Sequence, residues 1–134
     1  MPDRRVFQIG FNKCGTKFLT ELFELNGFRG AHWAGGALAE DIAYSKAVGR
    51  EPLQRWKWAT IFTDMESVHR MTMPMLEGFK EYKYLDESFP NSIFVLNTRN
   101  IEDWIVSRYA HQGRSYPVWH AAHLGSSLGE LAEV

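Results

Sequence analysis

Short strand-like runs alternate with longer stretches of helical period along this chain. Val6 to Ile9 has the length and composition of a buried strand, and Gly10 to Gly15 ends it in a tight loop. From Thr16, the apolar residues Phe18, Leu19, Leu22, Phe23 and Leu25 recur at helical spacing, and Asn26-Gly27 stops the helix because both residues tolerate left-handed backbone. Phe28 to Trp33 predicts a short second strand. Gly35-Gly36 opens a helix over Ala37 to Val48, Gly49-Arg50-Glu51-Pro52 breaks it, and Leu53 to Trp58 predicts one or two more helical turns. Ala59 to Thr63 is short and β-rich, with Asp64 at its end. Met73 to Ser88 predicts a helix with Pro74 near its start and Met75, Leu76, Phe79, Tyr82 and Leu85 on a broad apolar face. After the turn Phe89-Pro90-Asn91, Ser92 to Asn97 is the clearest strand, with Arg99 just past it. Asn100 is placed to cap a helix with Glu102 and Asp103 in its first turn, running to about His111. Beyond Tyr116-Pro117, Val118 to Leu124 predicts a short helix and Ser126 to Val134 an irregular tail.

This alternation implies a parallel sheet covered by helices on both faces. Ligands bind such sheets beyond the C-terminal ends of the strands. Lys13, Asp64 and Arg99 each follow a predicted strand, so all three are expected on one edge.

The first strand, loop and helix have the order of a phosphate site, in which loop amides and a helix N-terminus face the anion and a lysine adds a full charge. Gly10 and Gly15 keep the four-residue gap of a Walker loop, but Thr16-Lys17 follows where Lys-Ser/Thr is required. Lysine thus stands in the position of the magnesium ligand, and Lys13 is the better-placed cation. The expectation is a phosphate cradle that works without a metal.

Composition narrows the reading. A chain of 134 residues with 45% hydrophobic content suits one folded domain spanning 1–134, with about 114–134 a less regular tail. A net charge of −1 argues against broad nucleic-acid or anionic-membrane binding, which needs a large basic surface. The single cysteine, Cys14, excludes an internal disulfide framework and reads as a small loop residue rather than a nucleophile. No leader or membrane span is evident, so a cytoplasmic location is the expectation. His111, His120 and His123 do not suggest a metal site, and Met71, Met73 and Met75 read as packing residues.

Two segments carry a family resemblance. Phe11-Asn12-Lys13-Cys14-Gly15-Thr16-Lys17-Phe18-Leu19 is similar to the 5′-phosphosulfate loop of sulfotransferases that use 3′-phosphoadenosine 5′-phosphosulfate (PAPS), commonly Pro-Lys-Ser/Thr-Gly-Thr-Thr-Trp-Leu. Phe94-Val95-Leu96-Asn97-Thr98-Arg99, followed by Trp104 and Ser107, is similar to that family's 3′-phosphate segment, where a strand ends in arginine and a serine follows eight residues later. With Phe89-Pro90-Asn91 before the strand, the chain resembles short bacterial sulfotransferase-like proteins over roughly residues 6–110.

The resemblance implies a P-loop-type α/β fold of three layers, with a parallel sheet of about four strands, shortened at the C-terminus. It implies sulfonate transfer from PAPS to a hydroxyl or amine on a small-molecule or glycan acceptor, with no metal. Asn12, Lys13, Cys14, Gly15, Thr16 and Lys17 would hold the 5′ end, Arg99 and Ser107 the 3′-phosphate, and Lys13 would neutralise charge on the oxygen between sulfonate and phosphate. For the general base, Asp64 is the first choice at its strand end. His32 is the second, since His32-Trp33 resembles a His-aromatic pair of the bacterial branch; Asp41 and Glu66 stay open. Lys17 replaces a hydroxyl usual in the family, and only about two dozen residues follow His111. A site completed by a second copy in a homodimer, and a noncatalytic nucleotide-binding or interaction module on the same scaffold, are therefore open alternatives. A small P-loop kinase with Asp64 as its acid is the weakest, because no Ser or Thr follows a Gly15-Lys pair.

Overall fold

The computed structural model describes residues 4–10 and 15–110. Four short strands, β1 (Val6–Gln8), β2 (Gly30–His32), β3 (Ile61–Thr63) and β6 (Ile93–Val95), form one sheet in the order β2-β3-β1-β6. All three pairings are parallel: Phe7 lies opposite Phe62 on one side and Phe94 on the other, and His32 lies opposite Thr63. The expected parallel four-stranded α/β sheet is therefore observed. Strand order reverses at β1, since β2 and β3 lie to one side of it and β6 to the other. The loop after β1 thus leaves the sheet at the switch point, where ligands of such sheets bind.

Alternation along the strands separates two unequal faces. Phe7, Phe62 and Phe94 form a ladder across β3, β1 and β6, with ring centroids 5.2 and 5.6 Å apart. Phe89 joins it at 5.7 Å. This face meets helix α2 (Ala37–Val48), the turn around Gln54–Trp56, and helix α3 (Tyr82–Ser88) through Leu38, Ile42, Leu53, Trp56 and Leu85, all buried. Arg5, just ahead of β1, is buried at the opposite end from the switch point; its guanidinium donates to the carbonyls of Trp56, Lys57 and Ala59 and stacks 5.6 Å from the Phe89 ring.

Helix α1 (Thr16–Leu25) covers the second face with an unexpected surface. Its buried residues are Thr16 and Thr20, whereas Phe18, Leu22 and Leu25 are exposed. Gly30 explains how closely it sits: a Cβ there would lie 2.6 Å from Thr20 Cγ2 and 3.1 Å from Ile61 Cγ2. Small residues on both elements let the threonine side of the helix reach the strands.

One element departs from the sequence reading. Met73 to Ser88 is not a single helix. Leu76–Glu77 (β5) pairs antiparallel with Glu66–Ser67 (β4), a 3₁₀ turn follows at Gly78–Glu81, and only Tyr82–Ser88 is α-helical. Gly78 is the physical reason: its would-be Cβ is 2.9 Å from Met65 O and 3.3 Å from Ala39 Cα, so the chain is pressed against α2 and cannot coil freely there. Met71 and Met73, expected to pack, are exposed in the preceding segment. Helix α4 (Ile101–Ala110) begins as expected, with Asn100 Oδ1 accepting from the amides of Glu102 and Asp103 at 2.9 and 3.2 Å. The readings for Val118 to Leu124 and the tail lie outside the described residues.

Two substitutions test this architecture. Phe7→Ala removes the middle rung of the ladder and is expected to cost about 3–5 kcal/mol in urea unfolding. Gly30→Ala is expected to cost about 1–3 kcal/mol by forcing α1 off the sheet, and an unchanged unfolding midpoint would refute the close seating.

Candidate active site

Four structural elements bring chemistry to the C-terminal edge of the sheet. The β1–α1 connection arrives first. Residues 11–14 lie outside the described residues, so Asn12, Lys13 and Cys14 are known only from their sequence position. The two ends of the loop are described. Gly10 is buried against the end of β6, where a Cβ would lie 2.6 Å from Asn97 O and 2.7 Å from Gln8 Nε2. Gly15, at φ 81°, is the N-cap of α1. Any side chain would be strained there, and Asn97 Nδ2 lies 3.6 Å from its would-be Cβ.

The N-terminus of α1 is electrostatically unusual. Among the described residues no side chain caps it, and no acidic residue lies in its first turn. Lys17 sits there instead, exposed, although a cation is unfavourable at the positive end of a helix dipole. Helix α4 shows the ordinary solution in the same molecule, with the Asn100 cap and two acidic residues. An anion held before α1 would satisfy both its first-turn amides and Lys17.

Strands β2 and β3 end side by side and contribute His32 and Asp64. His32 Nε2 lies 3.8 Å from Asp64 Oδ2, and both side chains are partly buried. The sequence thus offered two rival bases that the structure brings together as neighbours. His32 Nδ1 is 2.8 Å from Thr63 Oγ1, which is 2.5 Å from Thr20 Oγ1; Thr20 also donates to Thr16 O at 3.1 Å. Burial, with the positive charge of Lys17 second, pushes the His32 pKa below its ordinary 6.5, although Glu21 and Glu24 pull the other way. The neutral ring, which can accept a proton, is the form favoured at pH 7.

Three of the four non-glycine residues with positive φ among the described residues lie at these same strand ends, Leu53 being the fourth. Trp33, Ala34 and Asp64 have φ values of 57°, 54° and 52°, in a region that costs side-chain-bearing residues about 1–3 kcal/mol each. Tertiary contacts impose these angles. The Trp33 amide donates to Thr63 O at 3.0 Å, and its ring packs edge-on to His69 at 5.3 Å. Gly36, at φ 88°, lies where a Cβ would meet Ser67 Oγ and His69 Cε1 at 2.8 Å.

The remaining candidates divide between this edge and the body of the fold. Arg99 is exposed in the turn between β6 and α4, two residues past Asn97, and Ser107 is half-buried on α4. Asp41 is committed to the fold: its carboxylate accepts from the Leu53 amide at 2.6 Å and pairs with Arg50 at 3.1 Å, holding the loop after α2. Glu66 is buried in β4, beyond Asp64. Sequence reasoning missed Thr20, Thr63, Asn97 and Gln8. Gln8 is 1% exposed beneath Gly10, and among the described residues neither atom of its amide has a hydrogen-bond partner. Strand alternation was the available signal for Thr63 and Gln8, since each sits one residue from a ladder phenylalanine and therefore faces α1.

No helix among the described residues is long and apolar enough to cross a membrane. No curated protein matches the chain. A family model described as a sulfotransferase domain matches residues 5–130, nearly the whole length, and the chain belongs to that sulfotransferase family.

Proposed function

We propose that this protein transfers a sulfonate group from PAPS to a hydroxyl or amine acceptor, a small molecule or a glycan, without a metal. The observation that carries the reading is the uncapped N-terminus of α1, behind Gly15 and bearing Lys17, on the same sheet edge as His32 and Asp64. The donor supplies an activated sulfonate whose leaving group is a phosphate. Its fit is supported by the two loop ends, Gly10 too close to Asn97 for any side chain and Gly15 in the left-handed region, and by the buried Gln8 amide, which has no hydrogen-bond partner among the described residues.

The chain's own residues then have distinct tasks. The α1 amides, Thr16, Lys17 and the loop residues Asn12, Lys13 and Cys14 bind the 5′ end. Arg99 offers a bidentate contact and Ser107 a hydroxyl for the 3′-phosphate. Lys13 stabilises charge that grows on the leaving oxygen, so its effect falls on the transition state. His32 Nε2 takes the acceptor's proton, and the Asp64 carboxylate beside it steadies the imidazolium that results. Asp64 thus supports the base in this reading, which reverses the order suggested by sequence position.

Calorimetry and transfer assays test the proposal. The product nucleotide PAP is expected to bind without Mg²⁺, and Arg99→Ala to weaken it about 10–100-fold, the value of a charged hydrogen bond. Transfer of labelled sulfonate from PAPS to a panel of phenols, alcohols, amines and sugars is expected to vanish in Lys13→Ala while PAP binding weakens far less. Binding of Mg-ATP with no binding of PAP would overturn the reading.

The His32 shift has two consequences for pH dependence. The rate is expected to fall on the acid side with a midpoint below 6.5, and His32→Gln to remove that limb and lose about 10²–10⁴-fold in turnover. Because the unfolded chain protonates His32 more readily, this residue's contribution to stability is present above pH 6.5 and is lost as pH falls through the lower folded pKa. Thermal melts of wild type and His32→Gln should therefore converge in acid.

A further inference from the structure

All three hydrogen bonds behind His32 can be made at once in only one direction. Thr20 has one hydroxyl proton, and Oγ1 donates it to Thr16 O at 3.1 Å. In its 2.5 Å contact with Thr63, Thr20 must therefore accept. That uses the single proton of Thr63, so in the 2.8 Å contact with His32 Nδ1, Thr63 Oγ1 can only accept. The hydrogen of the neutral ring then sits on Nδ1, and the lone pair is on Nε2, the nitrogen that faces Asp64 at 3.8 Å. Thr63 is fully buried and Thr20 nearly so, and a hydroxyl is costly in such places unless it is bonded.

We infer that Thr63 and Thr20 are positioning residues that hold His32 as its Nδ1–H tautomer, leaving Nε2 open to receive the acceptor's proton. This rests on His32 being the base. When the acceptor O–H or N–H bond breaks, its electron pair stays on the acceptor atom and the proton goes to Nε2. Both ring hydrogens are then accommodated, Nδ1–H by Thr63 and Nε2–H by the Asp64 carboxylate. The chain of hydrogen bonds ends at the carbonyl of Thr16, the residue after Gly15. The base is thereby tied to the first turn of the helix that receives the phosphate. Among the described residues, the charged groups around the ring are Asp64 just past β3 and Lys17, Glu21 and Glu24 on α1.

The tautomer can be read without any substrate, by long-range proton–nitrogen correlation NMR on the whole chain with ¹⁵N-labelled histidine at pH 8. The wild type should show a protonated Nδ1 and an unprotonated Nε2 for His32. Thr63→Val should reduce the excess of the Nδ1–H form about five- to tenfold, the worth of one hydrogen bond, and Thr63→Ser should restore it. Thr20→Val gives the sharper result. It frees the Thr63 proton to be donated to Nδ1, so the ring should switch to Nε2–H although Thr63 is untouched. A purely structural role for Thr20 would cause no such switch. An Nε2–H ring in the wild type, or a tautomer unchanged in both valine variants, would overturn the relay and leave the anion site standing. Undiminished sulfonate transfer by His32→Ala would instead overturn the assignment of the base, whatever the tautomer.

Discussion

The close approach of helix α1 to the sheet is the constraint on which the active edge depends. It exists because Gly30 offers no Cβ and because α1 turns threonines, rather than its larger apolar residues, toward the strands. A Leu or Phe at position 20 would hold the helix away by the depth of a side chain. The Thr20–Thr63 contact of 2.5 Å would then be lost. With it would go the fixed distance between the N-terminus of α1, where an anion is proposed to bind, and His32, which is proposed to handle the acceptor's proton. Positioning of this kind is a large part of what a transfer enzyme can contribute to its reaction.

The two faces of the sheet divide the labour. The phenylalanine ladder and the residues packed on it exclude water and fix the register of β1 between β3 and β6. Register matters because a slip of one residue would turn every side chain to the opposite face. Phe7 and Phe62 in the core therefore fix Gln8 and Thr63 on the α1 side, close to the ligand edge. The polar residues there are costly to bury, and they are kept beside glycines, threonines and a strained backbone rather than in a smooth apolar interface. Local rules of sequence are commonly broken at functional sites, and here three of the four left-handed non-glycine residues described lie within a few residues of the ends of β2 and β3.

Charge is arranged with similar economy. A chain of net charge −1 has no general attraction for anions. In the proposed reading a local site supplies it, through the first-turn amides of α1, Lys17 and the lysine of the preceding loop. Lys17 departs from the family's usual hydroxyl, yet in this setting it contributes twice. It adds positive charge where the helix dipole already favours an anion, and it helps to keep His32 neutral. In the proposed reading an anion at the site would weaken that second influence and so link the basicity of the ring to the occupancy of the loop.

Much of this was legible in the sequence because it depends on residues close together along the chain. The strand-loop-helix at Val6 to Leu25, the helix from Ala37 to Val48, the Asn100 cap and the parallel α/β alternation all follow from local spacing, turn residues and helix-end preferences. The family resemblance is local too, carried by two linear segments. The break between Met73 and Ser88 was not legible, since Gly78 gives up helix for a contact with α2 that only the assembled fold supplies. Nor was the partnership of His32 with Asp64, which are 32 residues apart, or the hydroxyl chain through Thr63 and Thr20 to the Thr16 carbonyl. Sequence fixes which residues can donate, accept or bear charge. Pairing across strands and the seating of one helix decide which of them meet, and in which direction their protons point.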